Sequence, residues 1–232
     1  MRAIILAGGL GTRLYPYTLS TPKPLVPLND KPILEYVIDL LIKNKFKHIT
    51  LALNHQADTI LKFASEKIAN KKIKLDYSIE TKKLGTMGPL KIIRDLPDNF
   101  ILINADILTN ANLNLFFSKH LKSKNIFSIL STYRNLPSEF GVIENQESIV
   151  VNFKEKPIYK LKVSTGIYAL NKNILKYIPN RFFGFDDLTL LLLKKKIDIN
   201  VFEHKGYWLD IGRPSDYNEA LKDIKKINKF AK

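Results

Sequence analysis

An apolar run from Ala3 to Ala7 breaks into Gly8-Gly9-Leu10-Gly11-Thr12-Arg13 and then into a stretch punctuated by Pro16, Pro22, Pro24 and Pro27. This combination restricts the fold more than any other part of the sequence. A strand that ends in glycines must turn sharply, and prolines so closely spaced forbid a long helix after the turn, because each lacks an N–H and biases its predecessor away from the α region. The expectation is a buried strand, a tight turn with accessible main-chain amides, and an extended loop that folds back over it. Such a turn suits anionic oxygens, since no Cβ obstructs approach to the amides, and Arg13 and Lys23 supply cations. Leu6, Ala7, Gly8, Gly9, Gly11 and Thr12 are the candidate nucleotide-binding residues here. Alternatively, the glycines serve only a tight turn.

Two common phosphate motifs are excluded by spacing. No Gly-x-x-x-x-Gly-Lys-Ser/Thr run occurs, and Gly9, Gly11 and Leu14 do not complete the dinucleotide fingerprint G-x-G-x-x-G.

Alternating apolar runs and helical spacings organise the first half. Strands are expected at Ile4–Ala7, His48–Leu53, Lys74–Ser78, Phe100–Asn104 and Ile126–Tyr133, with helices at Ile33–Asn44, Ala57–Ala69, Met87–Leu96 and Leu113–Ser123. This is the signature of an α/β fold, a Rossmann-like, doubly wound, mostly parallel sheet whose ligands bind beyond the carboxyl ends of the strands. Gly8-Gly9 and Asp106 both fall there. After about residue 135 the texture changes to short strands at Gly141–Ile143, Ser148–Lys154 and Lys162–Ala169. Helices at Asn173–Tyr177 and Asp186–Lys195, a strand at Asn200–Glu203 and a helix from Pro214 follow. The reading is one domain, 1–232, with a nucleotide-binding half of about 1–135 and a smaller mixed lobe of about 136–232.

The 232 residues carry 37 Lys+Arg against 22 Asp+Glu, a net charge of +15, which raises the question of a nucleic-acid partner. Lysine runs such as Lys82-Lys83 and Lys194-Lys195-Lys196 are spread along the chain, and arginine is scarce, so a solvated basic surface is expected rather than a nucleic-acid stripe. No apolar run is long enough for a membrane span, no secretory leader is recognisable, and cysteine is absent. A cytoplasmic protein without membrane or nucleic-acid partners is expected.

Asp106 follows the strand Phe100–Asn104, so its carboxylate should project from a strand tip. Mg²⁺ takes one or two carboxylates together with water and phosphate oxygens. Asp210, in Trp208-Leu209-Asp210-Ile211-Gly212, is the candidate second carboxylate. Each aspartate alone also fits a helix cap or a buried hydrogen-bonding role. Glu155-Lys156-Pro157 presents Lys156 in an extended segment, although such a pair is commonly surface decoration. Leu84-Gly85-Thr86-Met87-Gly88-Pro89 is a glycine-bracketed loop fit to approach a flat base or merely to cap a helix.

Taken in order, Gly8 to Arg13, Pro22-Lys23-Pro24, Leu84 to Pro89, Asp106, Glu155-Lys156-Pro157, Ser164 to Tyr168 and Trp208 to Gly212 resemble the sugar nucleotidyltransferases, over nearly the whole length. The family includes mannose-1-phosphate guanylyltransferase and glucose-1-phosphate thymidylyltransferase. The resemblance implies transfer of a nucleotidyl group from a nucleoside triphosphate to a sugar 1-phosphate, with release of pyrophosphate. It implies that Arg13 and Lys23 are catalytic, that Asp106 and Asp210 bind Mg²⁺, and that Gly8, Gly85, Thr86 and Gly88 lie against the nucleotide. Gly141, Glu155, Lys156 and Thr165 would face the sugar phosphate. Such chemistry needs in-line positioning and charge neutralisation more than covalent help, so the four histidines can be structural.

This chain departs from many relatives at Ala105 and Phe140, where glycine and tyrosine are common. It stops after the core, so control through a C-terminal regulatory domain is not expected. The motifs most resemble those of guanylyltransferases. Uridylyl, thymidylyl or cytidylyl transfer remains an alternative, as does a catalytically silent nucleotide-sugar sensor, and a homo-oligomer is compatible with the sequence.

Overall fold

Strand β1 (Arg2–Leu6) is buried on both faces, as expected of a central parallel strand, and so are β4 (His48–Leu53) and β6 (Asn99–Asn104). The computed structural model describes residues 1–231. In chain order the other elements begin with β2 (Pro27–Leu28), β3 (Lys31–Pro32), α1 (Ile33–Lys43), α2 (Ala57–Ile68), β5 (Lys74–Ile79), β7 (Ile107–Thr109) and α3 (Leu113–Ser123). They continue with β8 (Phe127–Pro137), β9 (Val142–Gln146), β10 (Ile149–Lys154), β11 (Ile158–Asn171), α4 (Phe185–Lys194), β12 (Asn200–Glu203), β13 (Trp208–Asp210), α5 (Pro214–Lys222) and α6 (Ile224–Ala231).

One seven-stranded sheet has the order β12-β8-β11-β6-β1-β4-β5. Parallel pairing joins β6, β1, β4 and β5, whereas β11 runs antiparallel to both of its neighbours, β6 and β8. The sheet therefore crosses the boundary expected near residue 135. Helices α1, α2 and α3 cover one face. Leu34, Val37, Ile38 and Leu41 of α1 recur at helical spacing and are buried there with Ile60 and Phe116. The other face packs on α4 through Leu188 and Leu192. A third, smaller core joins Leu14, Val26 and Leu28 of the N-terminal loop to Leu209, Tyr217 and Ile227 near the C-terminal end.

Three local expectations need correction. The helix expected at Met87–Leu96 is a single 3-10 turn, Gly88–Lys91, because Pro89 opens it and Asp95 takes a left-handed φ of 53°. The segment from Asn173 is likewise a 3-10 turn, Lys172–Tyr177. Strands β8 and β11 extend several residues further than the apolar pattern indicates, since their outer ends pair with each other without being buried.

Among the described residues, no helix is long and apolar enough to cross a membrane. His120 is buried, its Nδ1 is 2.8 Å from Ser128 Oγ, and desolvation lowers it to about 4, so it stays neutral. His48 bonds Asp76 at 2.6 Å, and His204 lies 3.2 Å from Thr109 Oγ1.

Candidate active site

At the carboxyl ends of β1 and β6 the chain encloses a cavity of about 490 Å³. Its lining includes Leu6, Ala7, Gly8, Gly9, Gly11 and Thr12, together with Arg13, Lys23, Gly85, Thr86 and Asp106. The fold thus brings the glycine turn, the two N-terminal cations, the Leu84–Pro89 loop and the first aspartate to one place. Gly11 adopts φ 68°, and a Cβ there would lie 2.7 Å from Lys23 Cβ and 3.0 Å from Thr18 Cγ2. The proline-rich loop therefore folds back onto the turn, and only glycine allows that contact. Thr18 Oγ1 reinforces it by donating to Gly11 O at 3.0 Å.

The carboxylates are assembled by a ladder of three residues. Strand β13 pairs antiparallel with β7, with Asp210 opposite Ile107, and Ile211 N donates to Asp106 O at 3.0 Å. Two aspartates more than a hundred residues apart are thereby fixed side by side. Lys23 Nζ contacts Asp106 Oδ2. Asp106 Oδ1 and Asp210 Oδ1 are buried and, among the described residues, accept no hydrogen bond. Burial, then the neighbouring Asp106, pushes the Asp210 carboxyl up to about 6, against the pull of Lys23 and Arg13. Two buried, unpartnered carboxylate oxygens in one place form a strongly electronegative pair, and that donor set fits a hard divalent cation. Among the described residues no group of three or more His, Cys, Asp or Glu could hold a metal. A cation at Asp106 and Asp210 would thus complete its shell with water and phosphate oxygens, as Mg²⁺ commonly does.

Other expected residues lie elsewhere or are engaged by the protein's own hydrogen bonds. Gly88 is buried, donates its amide to Phe183 O at 3.2 Å, and lines a larger, more open cleft of about 950 Å³ over β5. That cleft has no comparable convergence of glycine turn and carboxylates. Thr86 Oγ1 accepts from Phe185 N at 2.7 Å, which ties the loop to the start of α4. Thr165 is fully buried and its hydroxyl donates to Leu130 O at 2.7 Å, so that hydroxyl is engaged by the sheet rather than presented to a ligand. Gly141, Glu155 and Lys156 lie on or beside the β9–β10 hairpin. A Cβ on Gly141 would sit 3.0 Å from Glu155 Oε2 and 2.6 Å from the Phe153 ring, while Lys156 is exposed.

Sequence reasoning overlooked Glu80, Lys83, Asn104, Phe182 and Asp186, all of which line the cavity. Lys83 belongs to a lysine run read as surface, yet its ammonium lies 5.9 Å from the centre of the Phe182 ring. Glu80 Oε2 accepts from Leu84 N at 2.9 Å and so shapes the Leu84–Pro89 loop, and burial raises its pKa. The Lys-Lys pair and the aromatic residue two before Gly184 were the only signals.

The fold and this grouping define an α/β protein built around a cavity, at the carboxyl ends of its parallel strands, that brings together a glycine turn, cations and a carboxylate. Residues 2–227 match the family described as Nucleotidyl transferase. Mannose-1-phosphate guanylyltransferase 1 of Arabidopsis thaliana is 36% identical over 231 residues, covering 96% of this chain and 64% of that protein. The mannose-1-phosphate guanyltransferase of Gibberella zeae is 32% identical over 226 residues, covering 94% and 62%. The chain thus spans just under two thirds of the length of these relatives. The crystal structure of HddC from Yersinia pseudotuberculosis is similar at TM-score 0.74 and 30% identity, covering 96% of this chain and 99% of that one. The same protein complexed with GMP-PN is similar at TM-score 0.73 and 28% identity, with the same coverage. The chain belongs to the nucleotidyl transferase family.

Proposed function

We propose that the protein transfers a guanylyl group from GTP to a sugar 1-phosphate, giving a nucleotide-sugar and pyrophosphate. The observation that carries this reading is the pair of buried, unpartnered carboxylate oxygens on Asp106 and Asp210 beside a glycine turn flanked by Arg13 and Lys23. The choice of GTP is supported by relatives named as mannose-1-phosphate guanylyltransferases and by a similar structure complexed with GMP-PN.

The glycine turn offers its amides to the triphosphate, and Arg13 and Lys23 oppose its negative charge. Gly85 and Thr86 border the same cavity and are assigned to the base and ribose. Gly141, Glu155 and Lys156 are assigned to the sugar phosphate. An oxygen of the sugar phosphate attacks the α-phosphorus, the bond to the β-phosphate oxygen breaks, and pyrophosphate carries away the electron pair. The nucleophile is already an anion near neutral pH, so the residues position and neutralise rather than abstract a proton. Mg²⁺, when bound by Asp106 and Asp210, would supply charge neutralisation at the phosphate oxygens.

The test is pyrophosphate release with Mg²⁺, crossing GTP, UTP, dTTP, CTP and ATP against hexose, hexosamine and heptose 1-phosphates. One strong pair containing GTP is expected. Strong release with another triphosphate would overturn the nucleotide assignment, and tight nucleotide-sugar binding without release across the panel would favour a sensor.

A further inference from the structure

The cleft of about 950 Å³ over β5 has no part in the reaction proposed above, yet its lining has a chemistry of its own. Six cationic side chains, Arg2, Lys74, Lys82, Lys91, Arg94 and Arg181, stand there against the two carboxylates of Asp76 and Asp95. Arginine occurs six times in the whole chain, and three of the six line this one cleft, so the scatter seen for lysine does not hold for arginine. Asp76 is already engaged, 2.6 Å from His48 Nε2, 3.2 Å from Lys74 Nζ and 3.7 Å from Arg2 Nη2. Lys91 Nζ donates to Leu175 O and Arg181 Nη1 to Phe182 O, each at 3.5 Å. Lys82, Lys91, Arg94 and Arg181 have no carboxylate partner among the described residues.

The floor of the cleft is rigid. Arg2 is 5% exposed, its Nε donates to Thr50 Oγ1 at 2.8 Å, and its Nη1 donates to Arg94 O at 3.2 Å and Asp95 O at 2.8 Å. A buried guanidinium thus pins the turn that carries Arg94, and it holds Asp95 at a φ of 53°, where a residue with a Cβ is strained. Asp76 and Ser78 alternate onto one side of β5, and the Ser78 hydroxyl is buried with no hydrogen-bond partner among the described residues. Ile79 and Ile92, both exposed, add apolar surface to the same lining. The volume is that of a pocket for a small molecule, about 300–1,000 Å³. Tyr77 is the one aromatic side chain among the lining residues, so the stacking platform of a single-strand nucleic-acid groove is missing.

We infer that this cleft binds a small phosphate monoester, with Arg94 and Arg181 opposing the phosphoryl oxygens and Ile79 and Ile92 covering a ring on the organic half. Arginine suits the first task because its planar fork meets two phosphoryl oxygens at once. Binding is independent of the proposed reaction, whereas its effect on the triphosphate rests on that reading. Lys82 and Arg181 line the cleft, while their chain neighbours Lys83 and Phe182 line the cavity of the candidate active site. The two segments form one wall, with Phe183 N donating to Leu84 O at 2.9 Å and Met87 N to Phe183 O at 3.0 Å. A ligand that draws Lys82 and Arg181 toward itself therefore shifts the nucleotide side of that wall and changes the affinity for the triphosphate.

The experiment uses phenyl phosphate, with inorganic phosphate and phenol as its separate halves, on the metal-free protein in chelator. Hydrogen–deuterium exchange locates the ligand, and titration calorimetry gives its affinity. Phenyl phosphate is expected to slow exchange across residues 91–95 and to bind more tightly than either half. Arg94→Gln with Arg181→Gln should weaken that binding by about tenfold or more with an unchanged far-ultraviolet spectrum, whereas Arg13→Gln should leave it in place. Exchange at 91–95 that ignores phenyl phosphate, or protection that survives the double substitution, would overturn the site. Single-stranded DNA bound there more tightly, with a steep salt dependence, would overturn the ligand class. In turnover with Mg²⁺, saturating phenyl phosphate should move the KM for the triphosphate by about fivefold, and the double variant should lose that shift. A shift that persists in the double variant would overturn the coupling. A silent activity panel would remove the proposed reaction and leave the exchange and calorimetric results untouched.

Discussion

The Asp210 carboxyl offers a measurable consequence of burying one carboxylate beside another. Its pKa is raised from 3.8 to about 6, chiefly by burial and then by Asp106, with Asp216 adding to the rise and Lys23 and Arg13 opposing it. A carboxyl with a folded-state pKa above its unfolded value binds more protons in the native state between the two values, so stability falls as pH rises through that window. Two units at about 1.4 kcal/mol each set an upper value of ~3 kcal/mol. Asp210→Asn removes the charge while keeping the shape. Allowing for residual solvation and the nearby cations, the variant should be more stable by about 2 kcal/mol above pH 6 in the presence of a chelator. The gain should shrink as pH falls below 6, reaching nearly zero only below about pH 3, where the wild-type carboxyl is protonated in both states. Denaturant titrations at a series of pH values read this directly, provided the slope with denaturant is unchanged. Equal stability at about pH 8, or a gain that ignores pH, would refute the reasoning. The same substitution should lower Mg²⁺-dependent turnover by on the order of a hundredfold, so one variant would be at once sturdier and nearly inactive.

Three further outcomes follow from contacts already described. Gly11→Ala meets both a left-handed φ and the Lys23 side chain, so a loss of about 1–3 kcal/mol in stability is expected by thermal denaturation, with reduced turnover as Lys23 is displaced. Lys23→Met leaves Asp106 without its ammonium contact and should cut pyrophosphate release by on the order of a hundredfold, with wild-type release removing Lys23 from the mechanism. Thr165→Val should lose about 1 kcal/mol of stability through the bond to Leu130 O, yet leave KM for the sugar phosphate unchanged. A large rise in that KM would return Thr165 to the substrate side.

The legible parts of the site were those written in local pattern. Asp106 follows closely on the apolar run Phe100–Ile103, so its place at a strand tip could be read directly, and the prolines after Gly11 announced a loop rather than a helix. Asp210 was legible as a motif, but its position beside Asp106 depends on β7, a strand of three residues too short to leave a periodic trace. Thr165 and Gly88 sit in suggestive sequences, and both also engage the protein's own hydrogen bonding, which no local pattern announces. Lys83 and Phe182 were missed because a lysine run and the aromatic cluster Phe182-Phe183-Gly184-Phe185 carry no spacing that distinguishes a cavity wall from a surface. The outer ends of β8 and β11 escaped for a related reason, as hydropathy reports burial within the chain and these strands pair without it.

The ladder between β7 and β13 also imposes an order in time. Synthesis at about 5–20 residues per second delivers the glycine turn and Asp106 many seconds before Asp210. A nascent chain can therefore form β1, β4 and β6 and present its phosphate turn while the second carboxylate is still absent. Only when Trp208–Asp210 zips onto Ile107–Thr109 does the acidic pair exist, so the cation site proposed for it would be completed in a single late step rather than growing with the sheet.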